Sequence, residues 1–203
     1  MNLSKILLPL VVTSAVAIIP FSTAFADGAA AYKEKCAACH GDDGNSTDGK
    51  VPSIASYSTA SLEDFMEAYK SGERKGEKYK PKDGDETDMN EIAKSLKDDE
   101  AESIYEFIAN QKFKPVKQDF DAKLAKKGAK KHKKKCEKCH SENGSNPDDD
   151  AGILAGQHRE YLEEQFEEIA RKERKVSKKM WKKFKKLSED DRKALIEFYI
   201  SQQ

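Results

Sequence analysis

Apolar side chains fall at Leu62, Phe65, Met66 and Tyr69, the three- and four-residue spacing of an amphipathic helix. Leu162, Phe166 and Ile169 repeat that spacing in the second half of the chain. Each half then closes on another helical stretch, from residue 98 or 99 to 110 and over residues 188–201. Ser188 followed three residues on by Asp191 has the form of a capping box, which fixes the start of the last helix. Two more short helices are predicted over residues 29–35 and 129–135. Between the helices of each half lies a stretch rich in Gly, Asn and Asp, residues 41–50 and 141–150, that reads as a loop. No alternating run of useful length appears, so the expected fold class is all-α.

The repetition extends beyond the pattern. At an offset of 100, Gly28-Ala29 matches Gly128-Ala129, Ile54-Ala55 matches Leu154-Ala155, Leu62-Glu63 matches Leu162-Glu163, and Arg74 matches Arg174. Past that point the offset falls to 91: Met89 meets Met180, Leu96 meets Leu187, Asp99 meets Asp190, Phe107 meets Phe198 and Gln111 meets Gln202. The chain is an internal duplication. Its first copy carries nine extra residues within the polar stretch 75–88, where Gly76, Pro81 and Gly84 indicate an exposed loop. The connection at residues 111–121 contains Pro115 and is expected to run extended along both copies.

The first 26 residues have the layout of a secretory signal: Lys5, an apolar run over residues 6–19, then Ala24-Phe25-Ala26 as a small-x-small cleavage site. That run is about 14 residues, short of the roughly 20 that span a bilayer. A cleaved signal at 1–26 and a mature periplasmic chain from Asp27 are therefore expected, in two domains, 27–114 and 115–203. No later run is long and apolar enough to cross a membrane. Residues 27–114 hold 13 basic and 20 acidic residues, a net of −7, while residues 115–203 hold 23 and 17, a net of +6. Halves this small and this charged bury little apolar surface by themselves, and each needs something to fold around.

All four cysteines fall in two C-x-x-C-H pentapeptides, Cys36 to His40 and Cys136 to His140. Two thiols three residues apart can bond the two vinyl groups of one porphyrin, and the next histidine then lies under the iron. Disulfides or a zinc site are the alternatives. The gap between the pairs far exceeds the roughly 15–20 residues of a zinc ribbon, and no β-α-β setting for a thioredoxin-like site is present. Two covalently bound haem c groups are expected, on Cys36 and Cys39 and on Cys136 and Cys139, with His40 and His140 as iron ligands. Met89 and Met180, at equivalent places in the repeat, are the candidates for the opposite face of each iron, where a thioether favours the reduced metal. Met66 belongs to an apolar stripe and reads as core. His132 precedes Cys136 by four residues and suits packing against the closing helix. His158 could serve as a ligand only if Met180 did not.

The carbonyl of Pro52 is placed to hold the first proximal histidine, and Gly152 stands at the aligned position in the second copy. The lysine runs 130–135 and 178–186 invite a nucleic-acid reading, which a periplasmic chain with no net positive charge disfavours. They suit solvated helix faces or docking to an acidic redox partner.

On Cys39-His-Gly-Asp-Asp-Gly-Asn-Ser46, Lys70-Ser-Gly-Glu73, Pro115-Val-Lys-Gln118, Cys136 to His140, Ile153-Leu-Ala-Gly-Gln157 and the closing Phe198-Tyr-Ile-Ser-Gln-Gln203, the chain resembles the dihaem class-I cytochromes c. More specifically it resembles the cytochrome subunit of flavocytochrome c sulfide dehydrogenase, and the cytochrome c4 group shares the two-domain plan and the Leu-Ala-Gly-Gln segment. The resemblance implies two tandem class-I cytochrome c domains with His40/Met89 and His140/Met180 ligation. It also implies an electron carrier rather than a catalyst, a flavoprotein (FAD) partner that oxidises sulfide, and a downstream soluble cytochrome or oxidase. The alternative is a free-standing cytochrome c4-like shuttle. The 75–88 insertion and the many lysines depart from the family pattern at the partner surface.

Overall fold

A computed structural model describes residues 23–82 and 84–203, with side chains from residue 27 onward; most of the expected signal segment 1–26 lies outside the described residues. The described chain is helical, with no strand. Its nine α-helices are α1 (Thr23–Lys35), α2 (Ala37–His40), α3 (Thr59–Lys70), α4 (Met89–Ser95), α5 (Asp98–Ala109), α6 (Ala122–Lys135), α7 (Arg159–Arg171), α8 (Lys178–Phe184) and α9 (Glu189–Ile200). None of these helices is long and apolar enough to cross a membrane. The helices leading into the two cysteine motifs are longer than the pattern predicts. Asp121 extends α6 at its start, accepting from the amides of Lys123 and Leu124. Ser188 and Asp191 form the expected capping box on α9.

Each half builds one core. In the first, Tyr32, Tyr57, Leu62, Leu96, Ile104 and Ile108 are buried together, joined by Ile153 from the second half. In the second, Leu162, Phe166, Ile169, Phe184, Leu195, Ile196, Phe198, Tyr199 and Ile200 close around one another. The first helix of each half crosses the last at very close range, and a glycine makes this possible. A Cβ built on Gly28 would sit 2.2 Å from the Ser103 carbonyl oxygen of α5, and one on Gly128 would sit 1.9 Å from that of Ala194 on α9. The matched glycines of the repeat are therefore packing positions.

The duplication is visible bond by bond. Gly44 O accepts from Ile54 N at 2.7 Å and Ala55 N at 3.0 Å, and Gly144 O accepts from Leu154 N at 2.9 Å and Ala155 N at 3.1 Å. Ser56 N donates to Ile108 O at 3.1 Å, and Gly156 N donates to Tyr199 O at 2.8 Å. The last pair keeps the offset of 100 on its donors and 91 on its acceptors, as the sequence repeat requires. The insertion is more ordered than an open loop. Tyr79 and Thr87 exchange two backbone bonds, and the Tyr79 hydroxyl donates to Asp48 Oδ2 at 2.8 Å.

The halves are tied along a polar seam. Gln157, wholly buried, accepts from Ser53 N at 3.0 Å through Oε1 and donates to Ser53 O at 2.8 Å through Nε2. Tyr161 N donates to Gly49 O at 2.9 Å, and Ser58 Oγ donates to Asp150 Oδ1 at 2.7 Å. The connecting segment runs along both halves as expected, with Asn45 bonded to Lys112 and Lys114, and Val116 N donating to Gly156 O.

Candidate haem-binding sites

The first cysteine motif starts where α1 ends. Cys36 N donates to Tyr32 O at 2.8 Å, and His40 N donates to Cys36 O at 2.9 Å, so Cys36, Cys39 and His40 ride one tight helical turn. The His40 ring is buried, and its Nδ1 lies 2.9 Å from Pro52 O. A carbonyl only accepts, so Nδ1 carries the proton and Nε2 keeps its lone pair for a metal. Burial holds the ring's pKa below the ordinary histidine value, against the pull of the Pro52 carbonyl. Burial also pushes the Cys36 thiol up to about 12. Behind the motif Tyr32 donates to Gly41 O at 2.6 Å and packs its ring 4.9 Å from Phe107.

The second motif repeats this as a turn. Cys136 N donates to His132 O at 2.7 Å and His140 N to Cys136 O at 3.0 Å. His132 is buried on α6, as expected, with its ring 5.1 Å from Phe198 and its Nδ1 3.0 Å from the Tyr199 hydroxyl. The His140 side chain departs from its counterpart: its Nδ1 is buried and has no partner among the described residues. A carbonyl near Gly152 was the expected acceptor. Gly152 adopts φ +67°, whereas the Pro52 ring locks φ near −65°, so the second copy cannot reproduce the first one's backbone.

Met89 opens α4, with Asp88 capping that helix. Asn90 pins the methionine's helix: its Nδ2 donates to Tyr69 O at 2.6 Å and Arg74 O at 2.8 Å, and its Oδ1 accepts from Gly76 N at 2.7 Å. Nothing in the local sequence pattern marked Asn90, because its partners lie 14 to 21 residues away. Met180 stands in the first turn of α8, whose cap Ser177 accepts from the Met180 amide at 3.2 Å, and it packs against the second core. His158 caps neither iron site. It precedes α7 and points its Nε2 across the seam, 2.9 Å from Ser46 O of the first half.

The residues present fit a covalently attached haem in each half. All four cysteines are unpaired thiols. His40 presents a neutral ring already oriented from behind, and His140 presents a half-buried ring whose buried Nδ1 has no partner among the described residues.

The family model for cytochrome c matches residues 25–112, and that for the cytochrome c oxidase, cbb3-type, subunit III matches residues 123–198. Cytochrome c-554(548) of Halomonas halodenitrificans is 33% identical over 89 residues, 42% of this chain and 99% of that protein. The chain belongs to the cytochrome c family. Among solved structures, this cytochrome is similar to reduced recombinant cytochrome c4 from Pseudomonas stutzeri, with a TM-score of 0.69 and 25% identity over 87% of this chain and 97% of that one. It shares its fold with cytochrome c4 from Acidithiobacillus ferrooxidans at TM-score 0.65 and 22% identity, over 83% and 99% of the two chains. It also shares it with thiosulfate dehydrogenase (TsdBA) from Marichromatium purpuratum, at 0.70 and 20% identity over 88% of this chain and 40% of that one. Two class-I cytochrome c domains, each with a C-x-x-C-H motif, give the cytochrome two covalently bound haem c groups.

Proposed function

We propose that this cytochrome c4-like electron-transfer protein is a periplasmic dihaem shuttle of two domains, residues 27–114 and 115–203, released from a signal at 1–26. In it, Cys36 and Cys39 tether one haem and Cys136 and Cys139 the other. His40 and Met89 close the first iron, and His140 and Met180 the second. Haem iron bound in this way exchanges one electron at a time between ferric and ferrous states. The protein's share is to hold each imidazole neutral with Nε2 free, to keep water from the metal with the apolar cores, and to fix the two halves against each other. The observation that carries the reading is the duplicated thiol–thiol–imidazole turn, set twice into one locked scaffold. Mass spectrometry of the exported chain is expected to show two added macrocycles. Met89→Leu and Met180→Leu should each abolish half of the far-red methionine-to-iron charge-transfer band. Loss of neither half removes the methionines from the ligand set.

The net +6 of the second half suits an acidic redox partner. The quoted sequence motifs support a narrower reading, in which the electron donor is a flavoprotein that oxidises sulfide. A flavin releases electrons in pairs while each haem takes one, so two adjacent haems drain it fully. Co-purification from the native host decides this point. A flavin-containing subunit bound stoichiometrically supports the narrower reading, and a lone haem protein leaves the free shuttle.

A further inference from the structure

The nine extra residues of the first copy have no counterpart in the second and no task in haem attachment. The segment that holds them, 75–88, is anchored at both ends beside Met89. Gly76 N donates to Asn90 Oδ1 at 2.7 Å, and a Cβ on Gly76 would lie 2.7 Å from Met89 N. Lys78 Nζ reaches Asp88 Oδ2, the cap of α4, at 3.0 Å and Glu91 Oε1 at 2.6 Å. The middle is fastened elsewhere. Tyr79 pairs with Thr87 through the backbone, Pro81 is buried, and the Tyr79 hydroxyl donates to Asp48 Oδ2 at 2.8 Å. Asp48 N donates to Ser46 Oγ at 3.1 Å, and that hydroxyl lies 3.3 Å from Cys39 O. Tyr79 and Cys39 are near enough to act on one another electrostatically.

The two anchor points flank the place a tethered haem would take. Met89 stands at one and the loop that follows Cys39 and His40 at the other, while the thioether would fix the rim of the macrocycle to Cys39 itself. A segment tied to both points crosses that rim. The second copy carries no such segment: five residues separate Arg174 from Met180, against fourteen between Arg74 and Met89. Its site is correspondingly more open. Cys139 is exposed where Cys39 is half-buried, His140 is half-buried where His40 is buried, and Asp148 is exposed where Asp48 is half-buried. Charge differs as well. Lys133, Lys134, Lys135 and Lys138 stand exposed in and before the second motif, and Lys183 acts electrostatically on Cys136.

We propose that the insertion is a strap that closes the Cys39 rim of the first haem, leaving the Cys139 rim of the second as the port where an acidic redox partner docks. The proposal rests on the two-haem reading with Met89 and Met180 as ligands. Fixed lysines around an open rim draw in and orient an acidic surface. A one-electron donor docked there takes the second iron from ferric to ferrous, and that iron in turn reduces the first. The first haem is filled and emptied through the second.

Haem-methyl proton resonances of the ferric holoprotein, assigned to each haem by Met180→Leu, test this. Covalent haem is counted first by mass. Fewer than two macrocycles, or a Met89→Leu variant that keeps its full charge-transfer band, overturns the underlying reading; otherwise the strap is judged alone. A neutral gadolinium chelate is expected to broaden the second haem's methyls and to spare the first's. Deleting residues 77–85 leaves five residues between Arg74 and Met89, as in the second copy, and should abolish that difference. Equal broadening in the unmodified protein overturns the strap, and so does a deletion variant whose first haem stays spared. Where the deletion variant does not mature, Tyr79→Phe decides, since it removes only the bond to Asp48. Partial exposure of the first haem then supports the strap, and none overturns it. For the port, the paramagnetic anion hexacyanochromate(III) replaces the chelate. It should broaden the second haem's methyls at low ionic strength, and salt or Lys134→Glu with Lys138→Glu should remove the effect. Broadening that ignores both, or that falls on the first haem, overturns the acidic-partner assignment.

Discussion

Replacing Gly128 by alanine tests the helix crossing on which the second half is built, because two effects of opposite sign compete. Alanine is the better helix former by about 1 kcal/mol, so on propensity alone the variant would gain stability. Packing opposes this. The added methyl would stand 1.9 Å from the Ala194 carbonyl oxygen and 2.6 Å from Phe198 Cβ, and the first obstacle is backbone, which no rotamer change removes. Contact at an ordinary distance requires α6 and α9 to part by more than about 1 Å. A gap of that size forfeits up to about half of each dispersion contact it opens. The contacts affected include His132 against Phe198 and Tyr199, whose ring centroids lie 5.1 and 5.5 Å away. Overpacking of this kind costs about 3 kcal/mol at the upper end of its range, which leaves a net loss of about 2 kcal/mol. Guanidinium unfolding of the holoprotein, followed by far-ultraviolet circular dichroism, should show a lower midpoint at an unchanged slope. Gly28→Ala, facing Ser103 O at 2.2 Å, should behave in the same way. A gain in stability in either variant would refute the close crossing, since only propensity would then be operating.

Gln157→Leu strips two bonds from Ser53 and leaves its buried N–H and C=O unpaired. A loss of about 2–4 kcal/mol is expected, together with faster protease cleavage in the 111–121 connection, and an unchanged cleavage rate would contradict the seam. Tyr199→Phe removes the partner of the buried His132 Nδ1 and should cost about 1–2 kcal/mol in the same unfolding assay, with the haem count unaltered. Acid should weaken the fold through Asp191 and Glu197. Lys131 holds Asp191 below the usual carboxylate range, and Arg159 does the same for Glu197 against the upward push of burial. Groups depressed in the folded state contribute stability above their unfolded pKa and lose it as pH falls through the folded value. The unfolding midpoint should therefore be flat near neutrality and drop below about pH 4, and Glu197→Gln should flatten that drop.

Features carried by short-range pattern were readable from the sequence. The amphipathic spacing of Leu62 to Tyr69 and of Leu162 to Ile169 places α3 and α7, and the Ser188–Asp191 box places the start of α9. The Pro52 carbonyl lies where the sequence put it, because a ring-locked residue twelve positions from His40 leaves the backbone little choice. What escaped depends on pairing across the fold. Gln157 meets Ser53 over a separation of 104 residues, and His158 meets Ser46 over 112. No local pattern specifies a partner in the other copy. Asn90 escaped for the same reason, although its position beside Met89 was a usable hint.

The seam also explains why the two copies are unequal. Gly152 sits where a side chain would press on the other half: a Cβ there would lie 3.2 Å from Tyr57 Cε2 and 3.3 Å from Phe65 Cε2. Its left-handed backbone is open to glycine and closed to proline. The same residue therefore lets the halves approach and deprives His140 of the carbonyl that His40 keeps. An imidazole that donates to a carbonyl is a stronger electron donor to its metal than one that does not. Two diverged copies set face to face thus give their two histidines different surroundings, since Gly152 receives the other half's aromatic rings and leaves its own histidine without a backbone acceptor.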